Sequence, residues 1–320
     1  MAKKKTAWLI TAAVLIVTGC MIFGGAMVSL GWDFTKLSTS EFETNTYEIT
    51  EGFRNISVDT DTADLEFAPA EDGKCTVVCR EHPNAKHRVQ ITGDTLYIEV
   101  ENTRKWYEHI GIHIGAPKIT VYLPLAEYAA LTVKEDTGKV TLPADFSFET
   151  VDITSSTGAV SCRASVSGQM KIKASTGDIT LEALSAKSIG LSVSTGRVIV
   201  KDVTCDGEMK IKVSTGKASV TNVRCRAFES TGSTGGLQLE NVVASERMTL
   251  RRSTGDVKLT RCDAAELYIE LDTGDVTGSL LTEKVFIVHS DTGRVDVPKS
   301  ITGGRCEITT DTGDIKITVE

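Results

Sequence analysis

Ile189-Gly190-Leu191-Ser192-Val193-Ser194-Thr195-Gly196-Arg197-Val198-Ile199-Val200 and Met209-Lys210-Ile211-Lys212-Val213-Ser214-Thr215-Gly216-Lys217-Ala218-Ser219-Val220 are two copies of one pattern, twenty residues apart. In each, inward-type and outward-type residues alternate up to Ser-Thr-Gly and alternate again beyond it, the mark of strands with one buried face. The tripeptide Ser/Asp-Thr-Gly recurs at ten evenly spaced places, with glycines at Gly138, Gly158, Gly177, Gly196, Gly216, Gly235, Gly255, Gly274, Gly293 and Gly313, each 19 or 20 residues from the next. Two and four places after the glycine sit pairs such as Val140/Leu142, Ile179/Leu181, Leu237/Leu239, Val295/Val297 and Ile315/Ile317. Seven, five and three places before it sit Met170/Ile172/Ala174, Met209/Ile211/Val213 and Leu267/Ile269/Leu271. A further apolar column, seven places after, holds Leu184, Val203, Val223, Val242, Cys262 and Leu281.

A unit this short has no room for a strand and a crossover helix. One such coil cannot hide its own apolar face, but stacked coils hide each other's. The pattern predicts an all-β fold: a parallel β-solenoid of about ten coils of 19–20 residues, rising ~4.8 Å per coil, hence roughly 48 Å long. The motif glycines are structural turn residues, expected at a sharp corner with φ > 0, with the preceding Ser or Asp bonding the local backbone.

The chain has 320 residues, 35 Lys and Arg against 43 Asp and Glu, and a net charge of −8. With 41% hydrophobic and 24% charged residues it is composed as a folded chain, and its acid excess argues against nucleic acid as a partner. Lys3, Lys4 and Lys5 precede an uncharged run from Trp8 to Leu30. Those 23 residues span roughly 34 Å as a helix, enough for a bilayer. The expected arrangement is a single-pass membrane anchor with a cytoplasmic N-terminus and the rest outside, since the lysines stay in. Two rivals remain: a cleaved signal peptide, whose apolar core is normally shorter, and a lipoprotein signal, because Val17-Thr18-Gly19-Cys20 has a lipobox-like form. The expected division is 1–32 tail and transmembrane helix, 33–46 stalk, 47–130 irregular β cap punctuated by prolines, and 131–320 solenoid.

The Lys-rich start, the single apolar segment and the run of Ser/Asp-Thr-Gly coils resemble a bacterial family of β-strand-repeat proteins of unknown function known as "putative adhesin". Ile119-Thr120-Val121-Tyr122-Leu123-Pro124 and Asp311-Thr312-Gly313-Asp314-Ile315 are stretches similar to that family. The resemblance implies a solenoid presented on the cell envelope and brings no catalytic residues with it.

Several patterns invite chemistry. Asp-Thr-Gly is an aspartic-protease signature, but such an enzyme needs two aspartates facing each other, and here Ser156, Ser175, Ser194, Ser214, Ser233 and Ser253 fill the same position as Asp136, Asp272, Asp291 and Asp311. Asp178, Asp256, Asp275 and Asp314 follow the glycine, yet Lys139, Arg197, Lys217 and Arg294 share that column, which reads as a solvated face and not as calcium ligands. The stacked threonines read as a sheet-stabilising ladder before an ice-binding surface. Cys162, Cys205, Cys225, Cys262 and Cys306 all replace inward-facing residues and are expected to behave as small hydrophobes. Cys205 and Cys225 stack one rung apart, which leaves a disulfide open, and without a Cys-x-x-Cys pair zinc is not expected. Trp106, Tyr107, His109 and His113 form an aromatic, histidine-bearing loop, readable as a binding loop or as a packed cap. His82, His87 and His289 are isolated.

The function expected is therefore non-enzymatic and cofactor-free: an adhesin-like extracytoplasmic rod binding a cell-wall glycan or an envelope protein, with a sensor or accessory subunit of an envelope stress response as the alternative. The last motif runs into Ile315–Glu320, expected as an open edge for self-association.

Overall fold

The computed structural model describes residues 2–33, 41–105 and 115–320. Helix α1 spans Ala2–Ser29. Its stretch Ile10–Ser29 has a mean hydropathy of 2.1 and is long and apolar enough to cross a membrane. Leu15, Ile16, Met21 and Ile22 are all exposed while Met27 is buried, so the described chain leaves most of this stretch uncovered.

Strands β1 (Glu43–Ile49), β2 (Asn55–Thr60), β3 (Asp64–Pro69), β4 (Cys75–Glu81), β5 (Ala85–Thr92), β6 (Thr95–Asn102) and β7 (Lys118–Leu123) build the N-terminal end. Residues 43–46, read above as the end of a stalk, are already the start of β1, which pairs antiparallel with β4 from Glu43↔Glu81 to Ile49↔Cys75. The first coil, β2 and β3, lies one place in from the end: β2 pairs in parallel with β6 on one side and with the solenoid on the other. Antiparallel β5 and β4 then flank β6 and β7, closing this end with a different pairing mode.

From β8 (Glu127–Thr137), β9 (Val140–Leu142), β10 (Ser147–Thr157), β11 (Val160–Cys162) and β12 (Ser165–Thr176) through β13 (Ile179–Thr234), β14 (Leu237–Thr254), β15 (Val257–Thr273) and β16 (Val276–Leu280), the pairings of these strands with one another are parallel and one period apart. Strand β13 passes through its corners without losing pairing, which is why 56 residues form one element. The inward columns are buried as the alternation predicts: Ile179, Leu181, Met209, Leu267 and Cys306 are all 1% exposed or less.

The glycine corners form one row. A Cβ on Gly216 would lie 1.8 Å from the carbonyl oxygen of Gly196, one on Gly235 1.8 Å from that of Gly216, and one on Gly158 1.6 Å from that of Gly138. A second corner, not read from the sequence, falls six places after the glycine. There Ala183, Asp202, Asn222, Asn241 and Arg261 hold φ between 52° and 55°. Asn and Asp tolerate this left-handed conformation better than other residues, and they stack: Asn222 Nδ2 donates to Asp202 Oδ1 at 2.7 Å, Asn241 Nδ2 to Asn222 Oδ1 at 3.0 Å.

The last two coils stack out of sequence order. After β16 the chain forms β17 (Lys284–Thr292) and β18 (Val295–Asp296), then returns as β19 (Gly304–Thr312) and β20 (Ile315–Val319). Strand β19 lies between β15 and β17, and β20 between β16 and β18. The glycine row therefore runs 255, 274, 313, 293: Gly274 N–H donates to Thr312 O, and Gly313 N–H to Thr292 O. This corrects the expectation of an open edge at Ile315–Glu320. Ile315–Val319 is paired with β16 along its whole length, and Glu320 is held by Arg261 at 2.8 Å and by Ser279 at 2.8 Å. The outermost rung is 284–296, and it leaves Val285, Ile287 and Val295 exposed. Val295 was expected inward; no further coil covers it. Where the chain leaves β16, Leu280 and not Leu281 enters the apolar column, opposite Cys262, because that coil is one residue shorter after Gly278.

Candidate functional site

Among the described residues one group of Cys, His and acidic side chains converges: Cys79, Glu81 and His87, all buried, with ligand atoms within 4.8 Å of one another. The alternation of β4 turns Cys75, Val77, Cys79 and Glu81 inward, and β5 turns His87 to meet them. Glu81 Oε2 accepts both the His87 backbone N–H and Nδ1 at 2.6 Å. Glu81 Oε1 accepts Asn45 Nδ2 at 2.8 Å. His87 Nε2 meets Thr60 Oγ1 at 3.0 Å, and Tyr47 donates its hydroxyl to the His87 carbonyl.

Hydroxyl, imidazole and carboxylate thus lie in the order of a nucleophilic triad. Thr60 is 2% exposed and the cavity beside it holds about 10 Å³, about a single water's worth. A substrate has no way in. Burial, with the Glu81 charge second, pushes the Cys79 thiol up to about 12, so it is not a thiolate. Both carboxylate oxygens and both ring nitrogens are already engaged, which makes the cluster a polar pin joining β1, β2, β4 and β5; a buried network of this kind is stable only when complete. No sequence motif pointed to His87. The inward position of Glu81 was the available signal, because a buried acid needs donors.

Two more polar groups sit in the core columns. Glu135 is 2% exposed, in register with Thr60. Its Oε2 accepts Ser155 Oγ at 2.7 Å, but its Oε1 has no partner, and burial above all pushes its carboxyl up to about 7. Arg252 is 4% exposed. It donates only to neutral acceptors, Ser230 Oγ at 2.8 Å and Arg251 O at 2.9 Å, and burial lowers its guanidinium to about 10. Gly232 makes the room, since a Cβ there would lie 2.8 Å from Arg252 Nη1.

The motif carboxylates serve the stacking. Asp178 Oδ1 accepts the backbone N–H of Arg197 at 2.9 Å, Asp256 that of Asp275 at 3.0 Å, Asp275 that of Asp314 at 2.8 Å, and Asp314 that of Arg294 at 2.8 Å. Each acid tethers the next rung. The side-chain bond from Arg197, and less so its backbone N–H and charge, hold the Asp178 carboxyl below the usual range. In the protease-like column Ser156 Oγ donates to Asp136 Oδ1 at 3.2 Å, so these residues line one edge in file. All eight cysteines are free, with Cys205 donating to Lys187 O and Cys225 to Val243 O. Trp106, Tyr107, His109 and His113 lie outside the described residues.

Larger spaces lie on the outer face of the strands that precede each glycine. One, of about 670 Å³, is bordered by Arg251, Tyr268, Glu270, Asp272 and Glu307. Its charges are largely paired: Arg251 with Glu270 at 2.9 Å, while Arg305 sits over the Tyr268 ring and binds Glu307 at 2.5 Å. A second, of about 350 Å³, is bordered by Lys171, Lys173, Gly190, Ser192, Lys210 and Lys212.

The sequence profile of Toastrack DUF4097 matches residues 53–222 and again 206–320. The chain belongs to the Toastrack DUF4097 family. The repeated match agrees with a stack of equivalent coils. A "putative lipid binding protein" of Parabacteroides distasonis, 15% identical, aligns over 87% of this Toastrack chain and 98% of its own, with a TM-score of 0.50. "Putative adhesin" proteins of Bacteroides fragilis and P. distasonis, 14% and 12% identical, each align over 88% of this chain and over 99% and 98% of their own, with TM-scores of 0.44 and 0.48. No curated protein matches.

Proposed function

We propose that this chain is a membrane-anchored extracytoplasmic rod that binds a component of the cell envelope and carries out no chemical turnover. The observation that carries the reading is the pairing of an uncovered apolar helix behind Lys3, Lys4 and Lys5 with a rigid stack whose long outer faces hold open grooves. An all-round apolar helix has no place in water, the lysines favour the cytoplasmic side, and solenoids use extended regular surfaces for binding. The other titratable clusters are consumed in holding the stack together, as shown for Glu81–His87 and the aspartate column.

Intact cells expressing a Ser253→Cys variant test the topology, since Ser253 is exposed and the native solenoid thiols are buried. A membrane-impermeant maleimide is expected to label the variant without permeabilisation, and the wall fraction to retain the protein. Labelling only after permeabilisation overturns the extracytoplasmic placement.

The rung 284–296 is the surface we assign to self-association. Val285-Phe286-Ile287-Val288 carries no charge, and among the described residues β17 pairs with a strand on one side only. Charges on an edge strand oppose pairing. Val285→Lys with Ile287→Lys is expected to abolish any cross-linked dimer formed by the full chain in neutral micelles. Dimer yield unchanged in the double variant removes this edge from the interface.

A further inference from the structure

The groove around Gly190 has the composition of a binding site for an anionic polymer. Its border carries Lys171, Lys173, Lys210 and Lys212 against one acid, Glu229, in a chain whose net charge is −8. Two of the four are held in place by acids outside or at the rim: Lys171 Nζ lies 3.1 Å from Asp152, and Lys210 Nζ 3.3 Å from Glu208 and 3.4 Å from Glu229. The other two, Lys173 and Lys212, are exposed and make no ion pair with any described residue. They stand one rung to either side of Ser192: Lys173 is in register with Ser192, and Lys212 holds the same position before Gly216 that Ser192 holds before Gly196. The two backbones are therefore roughly 10 Å apart at two rung spacings.

Gly190 is the floor. Its φ is not in the left-handed region and a Cβ there would meet nothing within 4 Å. Neither backbone geometry nor packing calls for glycine, and glycine inside a strand costs about 0.5–1 kcal/mol. The motif glycines are required by the stacking; Gly190, which is not one of them, is required by nothing inside the fold. Glycine in a strand interior is characteristic of a place where something else approaches closely. With Ser192 beside it, the floor stays low while lysine stems form the walls.

We propose that this groove binds a linear polyanion of the cell envelope, its phosphate or carboxylate groups held between Lys173 and Lys212 over Gly190 and Ser192. The tethered Lys171 and Lys210 extend the positive field along the same face. Lysine recognises such groups as a point charge with rotatable donors, which suits successive anions of a chain better than a single planar ligand. This rests on the binding reading above and names the chemistry of its ligand.

The test uses the full chain in neutral detergent micelles, with polyphosphate and polygalacturonate as probes and dextran as the uncharged control. Wild type is expected to bind at least one polyanion, more weakly as salt rises, and to ignore dextran. Lys173→Gln with Lys212→Gln, and separately Gly190→Gln, are expected to weaken binding tenfold or more with unchanged melting. Lys258→Gln with Lys299→Gln removes the same charge elsewhere and is expected to leave binding within twofold. Phosphate against carboxylate preference identifies the anion. Equal binding by the Lys173/Lys212 variant, an equal loss in the Lys258/Lys299 variant, or no polyanion binding by wild type overturns the site. Retention by the wall fraction, measured on the same variants, separates that outcome from failure of the binding rod itself: a rod still retained with the groove disabled binds through another face.

Discussion

Gly216→Val is expected to cost 4 kcal/mol or more, a magnitude reached only by a short list of mechanisms, and two of them act here together. The first is steric. The added Cβ would lie 1.8 Å from the oxygen and 2.9 Å from the carbon of Gly196, both backbone atoms fixed in a row of corners that continues on either side. The second is conformational: φ is +136° at Gly216, where a β-branched residue is strained irrespective of space. Relief by moving the corner is not local, because the carbonyl of Gly216 itself sits where a Cβ on Gly235 would fall. Gly190→Ala is the matched control, with open space and ordinary φ, and is expected to melt at or slightly above wild type. Thermal melts followed by circular dichroism check both. A Gly216→Val protein melting within about two degrees of wild type refutes the stacked-corner geometry. The row also shows where the requirement ends: Ala63 stands at its first position, and its backbone is not in the left-handed region.

The ten-fold motif made the architecture legible because stacking imposes one rule on every rung: the same columns must be apolar, and the same corner must lack a side chain. Met170, Ile189 and Leu267 lie inward for the reason the period indicated. Features that depend on which rung lies next to which were not legible. Sequence order suggests spatial order, yet the coil of Gly313 sits between those of Gly274 and Gly293, and Val295, apolar by position, ends up on an uncovered edge. Lys284, buried and paired with Asp263 at 2.6 Å, marks the place where the chain steps over the gap that β19 later fills. Its partner is 21 positions back, outside any local pattern. The second corner was hidden for another reason: Ala183 and Arg261 share it with Asp202, Asn222 and Asn241, so no single residue type announces it. The groove was hidden because the lysines of Lys171–Lys173 and Lys210–Lys212 read as ordinary outward positions of separate strands. Only the stacking places them around Gly190.

Glu135→Gln is expected to make the fold more stable at neutral pH and to remove a pH dependence that wild type shows. Burial, reinforced by the charges of Asp136 and Asp64, raises the folded-state carboxyl from 4.5 to about 7. The group is an acid with a raised pKa, so the folded state prefers it protonated. Below about 4.5 the carboxyl is protonated in folded and unfolded chains alike, and there is no penalty. Between about 4.5 and 7 the unfolded chain releases the proton while the folded one retains it, and stability falls as pH rises. Above 7 the penalty is complete, up to about 3 kcal/mol at 1.36 kcal/mol per unit. Glutamine keeps an oxygen for the hydroxyl of Ser155, which now donates to Oε2 at 2.7 Å, and brings no charge to a site where Oε1 has no partner. The variant is therefore expected to match wild type near pH 4.5 and to melt higher at pH 8, by on the order of 5–10 °C for a domain of this size. Ser155→Ala is expected to act in the opposite direction at pH 8, because it strips the one hydrogen bond that favours the ionised form. A gap between Glu135→Gln and wild type that stays constant from pH 4.5 to 8 would show that the carboxyl does not titrate in this window. The stability of the N-terminal coils would then rest on the stacking of Thr60, Glu135 and Ser155 as neutral polar groups, without an ionisable one among them.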